Sequence, residues 1–472
     1  MKLVFQPHEK PKFGQLLLFA FQQLLAILAA TIVVPVLING NVQELIDKGA
    51  ANFKDMIPLD PAAALLGAGV GTLVYQLFTK FRSPVFLGSS FAFIGSMTAA
   101  FSGAASAALG YVGILLGAVF AGLVYVVIAL FVKFVGVGWI NRLMPAAVIG
   151  PTVALIGLSL SGAAIKDVFS YGPTDGNGSY IMSGSIWISL ICALVTLFVI
   201  IVCSTYGKKM TKLIPFIIGI MAGYVVAMIF TIIGYAADIN ALKAIDFAPF
   251  QALVTDGVNL STFLRVPDFT FITALGGVKE FSWSYVATVA VAYVPVAFVV
   301  FAEHIADHKN LSSIIEKDLL EEPGLHRTLL GDGVGSIAGA IFGGCPNTTY
   351  GESVGCVAIT RNASIVTITT TAVMAILISF LSPFVAFLDS ISGCVMGGVC
   401  ITLYGFIAVS GLKMIQKVDL EQNKNLFTVS AILIAGIGGM AMKIGEVTLT
   451  ATACALILGI IVNLILGKKK DE

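Results

Sequence analysis

Leu65-Leu66-Gly67-Ala68-Gly69-Val70-Gly71 reappears 264 residues later as Leu329-Leu330-Gly331-Asp332-Gly333-Val334-Gly335. A proline follows each copy, Pro84 after the first and Pro346 after the second. Each proline opens a stretch of small residues: Phe86-Leu87-Gly88-Ser89-Ser90-Phe91, and Asn347-Thr348-Thr349-Tyr350-Gly351-Glu352. A further echo pairs Gly150 and Gly157 with Gly398 and Gly405, in the same order. The chain therefore reads as two related halves, each with one interrupted segment.

The surroundings of the repeat place it in a bilayer. Of the 472 residues, 58% are hydrophobic and only 11% charged, with a mean hydropathy of +0.98. A soluble domain carries about 25% charged residues, and a soluble core cannot absorb this much apolar surface. Long apolar segments run through 14–37, 61–79, 110–135, 144–164, 184–204, 212–235, 283–305, 362–385, 391–412, 426–442 and 446–467. Weaker ones surround 85–100, 325–343 and 345–360. Together they predict an all-α polytopic membrane protein of about 14 crossings. With the N-terminus placed in the cytoplasm, 20 of the 27 Lys and Arg fall inside and 7 outside, as the positive-inside rule requires. That places both termini in the cytoplasm and the chain in the cell membrane. The polar Met1–Lys12 segment does not read as a cleavable leader.

About seven spans separate the two copies, an odd number, so the second half is inverted. Inverted repeats with interrupted segments at matching positions point to the binding site of a secondary transporter. Proline breaks the helix, and backbone groups left free at membrane depth must face protein or a cavity. The two breaks, near 85–100 and 345–360, are therefore expected to meet, pair as short strands and continue into half-helices whose N-termini aim at the ligand.

Two acids stand out in this apolar background. Glu303 closes the span that begins at Trp283, and Glu352 lies at the second break. An ionisable group in a span is a functional candidate by default. Desolvation favours the neutral carboxyl, which proton uptake requires. Asp307 follows Glu303 by four residues, on the same helix face. Asp332 reads as a packing or capping residue and Asp389 as a loop residue. His304 and His308 read as a solvated cytoplasmic helix end, because no third ligand completes a metal site around them. The seven cysteines, all in apolar or Gly-rich stretches, read as small buried residues. No basic run suggests nucleic acid, and no nucleophile–base pair suggests an enzyme.

Gly88-Ser89-Ser90-Phe91-Ala92-Phe93-Ile94, Phe301-Ala302-Glu303-His304-Ile305, Pro346-Asn347-Thr348-Thr349-Tyr350-Gly351-Glu352 and Ala358-Ile359-Thr360-Arg361 resemble the nucleobase–ascorbate transporter family, also called nucleobase:cation symporter family 2. Within it they are most similar to bacterial uracil permeases, and the resemblance covers nearly the whole chain. It implies two inverted sevens split between a core domain (1–135 and 270–385) and a gate domain (136–240 and 386–472). It implies proton-coupled symport of uracil into the cytoplasm, with no cofactor beyond the proton, and a homodimer. Glu303 and Glu352 resemble the glutamates that hydrogen-bond the pyrimidine. Ser90 and Phe91 resemble the wall of the first break, and Tyr350 and Gly351 that of the second. Tyr404 resembles a gate-side tyrosine, and Ala30 a small residue of the first span lining the pocket.

Three positions depart from the family pattern. Asp307 stands where a histidine often joins the proton network, which makes Glu303 with Asp307 the proton-coupling pair. Gln22-Gln23 stands for Gln-His. Glu352-Ser353-Val354-Gly355 replaces Glu-Asn-x-Gly, losing an amide that could brace the second break. The Thr348-Thr349-Tyr350-Gly351-Glu352 run favours uracil over xanthine or another purine. A sulfate- or bicarbonate-type anion carrier of this architecture would avoid facing carboxylates.

Overall fold

A computed structural model of the chain describes residues 3–467 except 48, 137, 171, 176, 209, 256, 445 and 446. Lys2, Lys48, Lys209 and Lys468 to Lys470, which entered the charge tally, lie outside the described residues.

The principal elements, in chain order, are α1 (Phe13–Asp47), α2 (Pro61–Phe78), β1 (Leu87–Ser89), α3 (Ile94–Ser102), α4 (Ala107–Val135), α5 (Ala146–Ser159), α6 (Gly184–Tyr206), α7 (Pro215–Ala236), α8 (Trp283–Ile315), α9 (Leu325–Gly343), β2 (Asn347–Thr349), α10 (Gly351–Thr360), α11 (Ile365–Ile378), α12 (Gly393–Ile415), α13 (Asn423–Ile437), β3 (Met442–Ile444), β4 (Val447–Leu449) and α14 (Ala451–Leu466). Their starts carry the expected caps. Asp60 accepts from the Ala62 amide ahead of Pro61, and Ser106, Ser183, Ser282 and Thr450 each accept from an amide three residues on, supplying an acceptor to otherwise unpaired helical donors.

Eight helices among the described residues are long and apolar enough to cross a membrane, and shorter apolar helices accompany them. On α6, Trp187, Ile191, Leu194, Phe198, Ile201 and Val202 are exposed. Such an outward apolar stripe fits a surface covered by lipid or by a partner rather than by water.

The two Gly-rich repeats pack on each other, α2 against α9, running antiparallel. A Cβ added to Gly71 would lie 2.7 Å from the Gly335 carbonyl oxygen, and one added to Gly335 would lie 2.7 Å from that of Gly71. Gly67 faces Gly339 in the same way. Only glycine permits this approach of two backbones. Replacing Gly71 with valine is expected to destabilise the purified protein by about 1–3 kcal/mol or more, the range for forcing methylenes into a packed core, read as a lowered melting temperature.

The two breaks form the paired strands expected of them. β1 and β2 are antiparallel, with Leu87 opposite Thr349, Gly88 opposite Thr348 and Ser89 opposite Asn347. The Ser90 amide donates to the Pro346 carbonyl at 2.9 Å and the Tyr350 amide to that of Phe86 at 3.2 Å. The Leu87 amide also donates to Thr72 Oγ1 at 2.9 Å, and Asn347 Nδ2 to the Gly67 carbonyl at 3.1 Å. The irregular backbone is thereby satisfied inside the bundle. β1 leads through a short 3-10 turn, Phe91–Phe93, into α3, and β2 leads through Tyr350 into α10.

Three expectations need correction. Glu303 does not end a span: α8 continues a further twelve residues to Ile315, because the polar residues after it find buried partners. Asp389 is not in a loop but in a helix, Ser382–Ser390. The last two apolar segments are helices of 15 and 16 residues joined through the β3–β4 hairpin, shorter than the sequence spans.

Candidate functional site

The two breaks, α8 and the α5 and α12 faces enclose a cavity of about 430 Å³, within the usual size of a small-molecule site. Of the predicted residues, Phe91, Glu303, Asp307, Tyr350, Gly351 and Glu352 line it. Glu303 and Asp307 occupy successive turns of α8, and Glu352 stands in the first turn of α10. Thr349 Oγ1 donates to Asp307 Oδ2 at 2.8 Å, so Asp307 is held against the second break. Thr348, which also lines the cavity, has a buried hydroxyl with no hydrogen-bond partner among the described residues. Lys212 lies at the cavity margin on an exposed segment.

Three predicted residues stand behind the wall. Ser90 is buried and is not part of the lining. On α1 the lining residue is Ala26, one turn before Ala30, which is itself 1% exposed. Tyr404 packs edge-on against Phe91, with ring centroids 5.9 Å apart at 76°, while its neighbour Leu403 lines the cavity. Tyr350 donates its hydroxyl to the Ser89 carbonyl at 2.9 Å, and its ring lies where a Cβ on Gly88 would collide with it. The second break thus locks onto the first.

Two departures from the family pattern meet in space. Gln23 Nε2 donates to Ser353 Oγ at 2.5 Å, tying α1 to the turn that carries Glu352.

His304 and His308 are not a solvated helix end: both are fully buried. They stack with ring centroids 4.0 Å apart. His304 Nδ1 lies 2.6 Å from Asp332 Oδ2 and its Nε2 lies 3.0 Å from Thr328 Oγ1. His308 donates from Nδ1 to the His304 carbonyl at 2.8 Å, and its Nε2 meets the Tyr75 hydroxyl at 2.7 Å. Asp332 is therefore not simply a packing or capping residue but half of a buried pair linking α8 to α9. Leaving one buried partner of such a hydrogen bond unsatisfied costs about 1–3 kcal/mol. Asp332→Ala is expected to lose stability on that scale, checked by thermal unfolding of the purified protein. The sequence carried a hint of this network: a lone Asp in a Gly-rich apolar span needs a partner, and the first repeat has Ala68 at that place.

Comparison with known proteins adds an independent line. A model described as "Permease family" matches residues 14–445. A uracil permease of Bacillus caldolyticus is 37% identical over 98% of this chain and 95% of its own. A uracil permease of Escherichia coli K12 is 34% identical over 97% of this chain and 92% of its own. These relatives are named as permeases, not enzymes. Among solved structures, murine Slc26a9, an anion transporter in its inward-facing state, gives a TM-score of 0.60 at 14% identity, covering 97% of this chain and 69% of that one. The transmembrane domain of the cyanobacterial bicarbonate transporter BicA gives 0.53 at 13% identity, covering 98% and 99%. At such identities the likeness is one of fold.

Proposed function

We propose that this chain, which belongs to the permease family, carries uracil into the cytoplasm together with a proton. The observation that carries the reading is the cavity at the paired breaks, where Glu303 and Glu352 face a space sized for a small ligand. Uracil is flat, with N–H donors and carbonyl acceptors on its edge. Carboxyls, the Thr348 hydroxyl and the Phe91 ring match that inventory. Glu352, at the start of a half-helix braced by Gln23, fixes the base. Glu303, one turn from Asp307, takes the proton, and the two acids titrate as a pair.

Fourteen membrane segments in two inverted sevens fit the antiparallel packing of the repeats and the pairing of β1 with β2. The core domain (1–135 and 270–385) moves against the gate domain (136–240 and 386–472). Packing of α2, α4 and α8 with α9 or with each other, and of α5 and α6 with α12, supports that division. The carrier sits in the cell membrane with both termini in the cytoplasm, and assembles as a homodimer.

The fold likeness to anion transporters raises a second reading, and a thermal-shift screen separates the two. A ligand that binds only the folded state stabilises it by about 2.7 kcal/mol at a hundred times its Kd. Uracil is expected to raise the melting temperature, xanthine less and sulfate not at all. Stabilisation by sulfate without uracil would replace the nucleobase reading with an anion carrier.

A further inference from the structure

Beside the Asp332–His304 pair, α4 and α9 press together backbone to backbone. A Cβ added to Gly122 would lie 2.7 Å from the Gly333 carbonyl oxygen, and one added to Gly333 would lie 2.7 Å from the Cβ of Tyr125. Only glycine allows this approach. It brings Tyr125 and Asp332 to the wall of one small internal cavity, of about 10 Å³, which is room for about one water molecule. Phe93 of the first break, Asn347 of the second, Val300 of α8 and Ser336 of α9 also line it.

Two of the lining residues carry polar atoms that the protein does not pair. Asp332 Oδ2 lies 2.6 Å from His304 Nδ1, but Oδ1 is buried with no hydrogen-bond partner among the described residues. The same is true of the Tyr125 hydroxyl. The Tyr125 ring stands edge-on to Phe301 and His304, with centroids 6.4 and 6.1 Å away, so its hydroxyl is held beside the cavity. Unpaired polar groups in an apolar interior are costly, and nearly all buried ones find a partner. One water serves both atoms: it accepts from the Tyr125 hydroxyl and donates to Asp332 Oδ1. Ser336, one turn beyond Asp332 on the same face of α9, offers an acceptor for its second proton. A hard divalent cation would ask for about six oxygens, whereas Phe93 and Val300 present only carbon here.

We propose that this cavity is a binding site for one structural water, which joins Tyr125 to Asp332 and completes a polar line from α4 through α9 to His304 and Thr328. Glu303 is the residue before His304 on α8, about 100° around the helix. A fixed His304 therefore sets the rotation of α8 that turns Glu303 into the larger cavity. Tyr125 and Asp332 are positioning residues for Glu303, and that role, unlike the water site itself, rests on the carrier reading above.

The test uses the purified full-length protein. Hydroxyl radicals made from water by X-ray radiolysis modify side chains that water touches, and mass spectrometry locates the modified residues. Tyr75 is the control, because it too is buried but its hydroxyl is held by Ser83 and His308. Tyr125 is expected to be modified about tenfold faster than Tyr75, as a side chain against an ordered water should be. Ser336→Val fills the cavity with methyl groups and is expected to bring Tyr125 down to the rate of Tyr75. Modification of Tyr125 no faster than of Tyr75, or an unchanged rate in a folded Ser336→Val protein, overturns the site. If Ser336→Val fails to fold, the wild-type comparison decides the matter. The positioning role has its own readout. Glu303→Cys and Glu352→Cys, made separately, report through their rates of alkylation by iodoacetamide how far each side chain faces the larger cavity. Adding Tyr125→Phe removes the hydroxyl and keeps the ring. It is expected to slow alkylation at position 303 about fivefold and to leave that at position 352 within about twofold, as loss of a supporting contact behind one side chain should. A rate at position 303 that does not fall, or that falls no more than at position 352, overturns the positioning role. Neither measurement uses uracil, so a protein that binds no uracil overturns the carrier reading alone.

Discussion

Glu352→Ala is expected to weaken uracil binding about a hundredfold or more, measured by equilibrium titration of the purified protein. A site built to hydrogen-bond a ligand's N–H loses most of its discrimination when the partner is removed, because the remaining buried polar groups are left unpaired. Glu352 stands in the first turn of α10, a turn held from α1 through Gln23 and Ser353. Its neighbours Tyr350 and Thr349 are fixed by hydrogen bonds to Ser89 and Asp307. The β1–β2 pairing does not involve Glu352, so the variant should fold and melt like wild type. A Kd within about threefold of wild type, less than 1 kcal/mol, would remove Glu352 from the ligand contacts.

Glu303→Gln is expected to separate binding from accumulation. Glutamine keeps the size and much of the hydrogen-bonding capacity of a protonated glutamate but cannot release a proton. Uracil binding should survive within about tenfold, whereas uphill uptake driven by a proton gradient should be lost. Exchange of labelled for unlabelled uracil should continue, since exchange needs no net proton movement. Asp307 sits on the next turn of α8 and accepts from Thr349. Wild-type accumulation by Glu303→Gln would pass the proton role to Asp307.

Much of the architecture was legible because the bilayer writes large signals. The Gly-rich repeat, the two prolines and the small-residue stretches after them located the paired strands, since backbone freed by a break has few places to go inside a membrane. The glutamates stood out for the same reason of solvation cost. What stayed hidden depends on contacts between distant segments. Nothing in the local pattern around His304 and His308 says that Asp332 and Tyr75 lie across from them, so a polar helix end and a buried network look alike in sequence. The same holds for Gln23 and Ser353, which read as two separate departures and are one interaction. Ala30 and Tyr404, named from the resemblance, are buried one helical turn from Ala26 and next to Leu403, the residues of their helices that line the cavity. The length of α8 was underestimated because its polar end is buried against α9 and Tyr75, not solvated.

The central claim is that a proton gradient drives uracil through this cavity. It is tested most directly by uptake of labelled uracil into proteoliposomes containing the full-length protein, with and without an imposed inward proton gradient. The account predicts accumulation above the external concentration only with the gradient, collapsing when a protonophore is added. Uptake that equilibrates identically with and without the gradient, by protein that binds uracil normally, would contradict it.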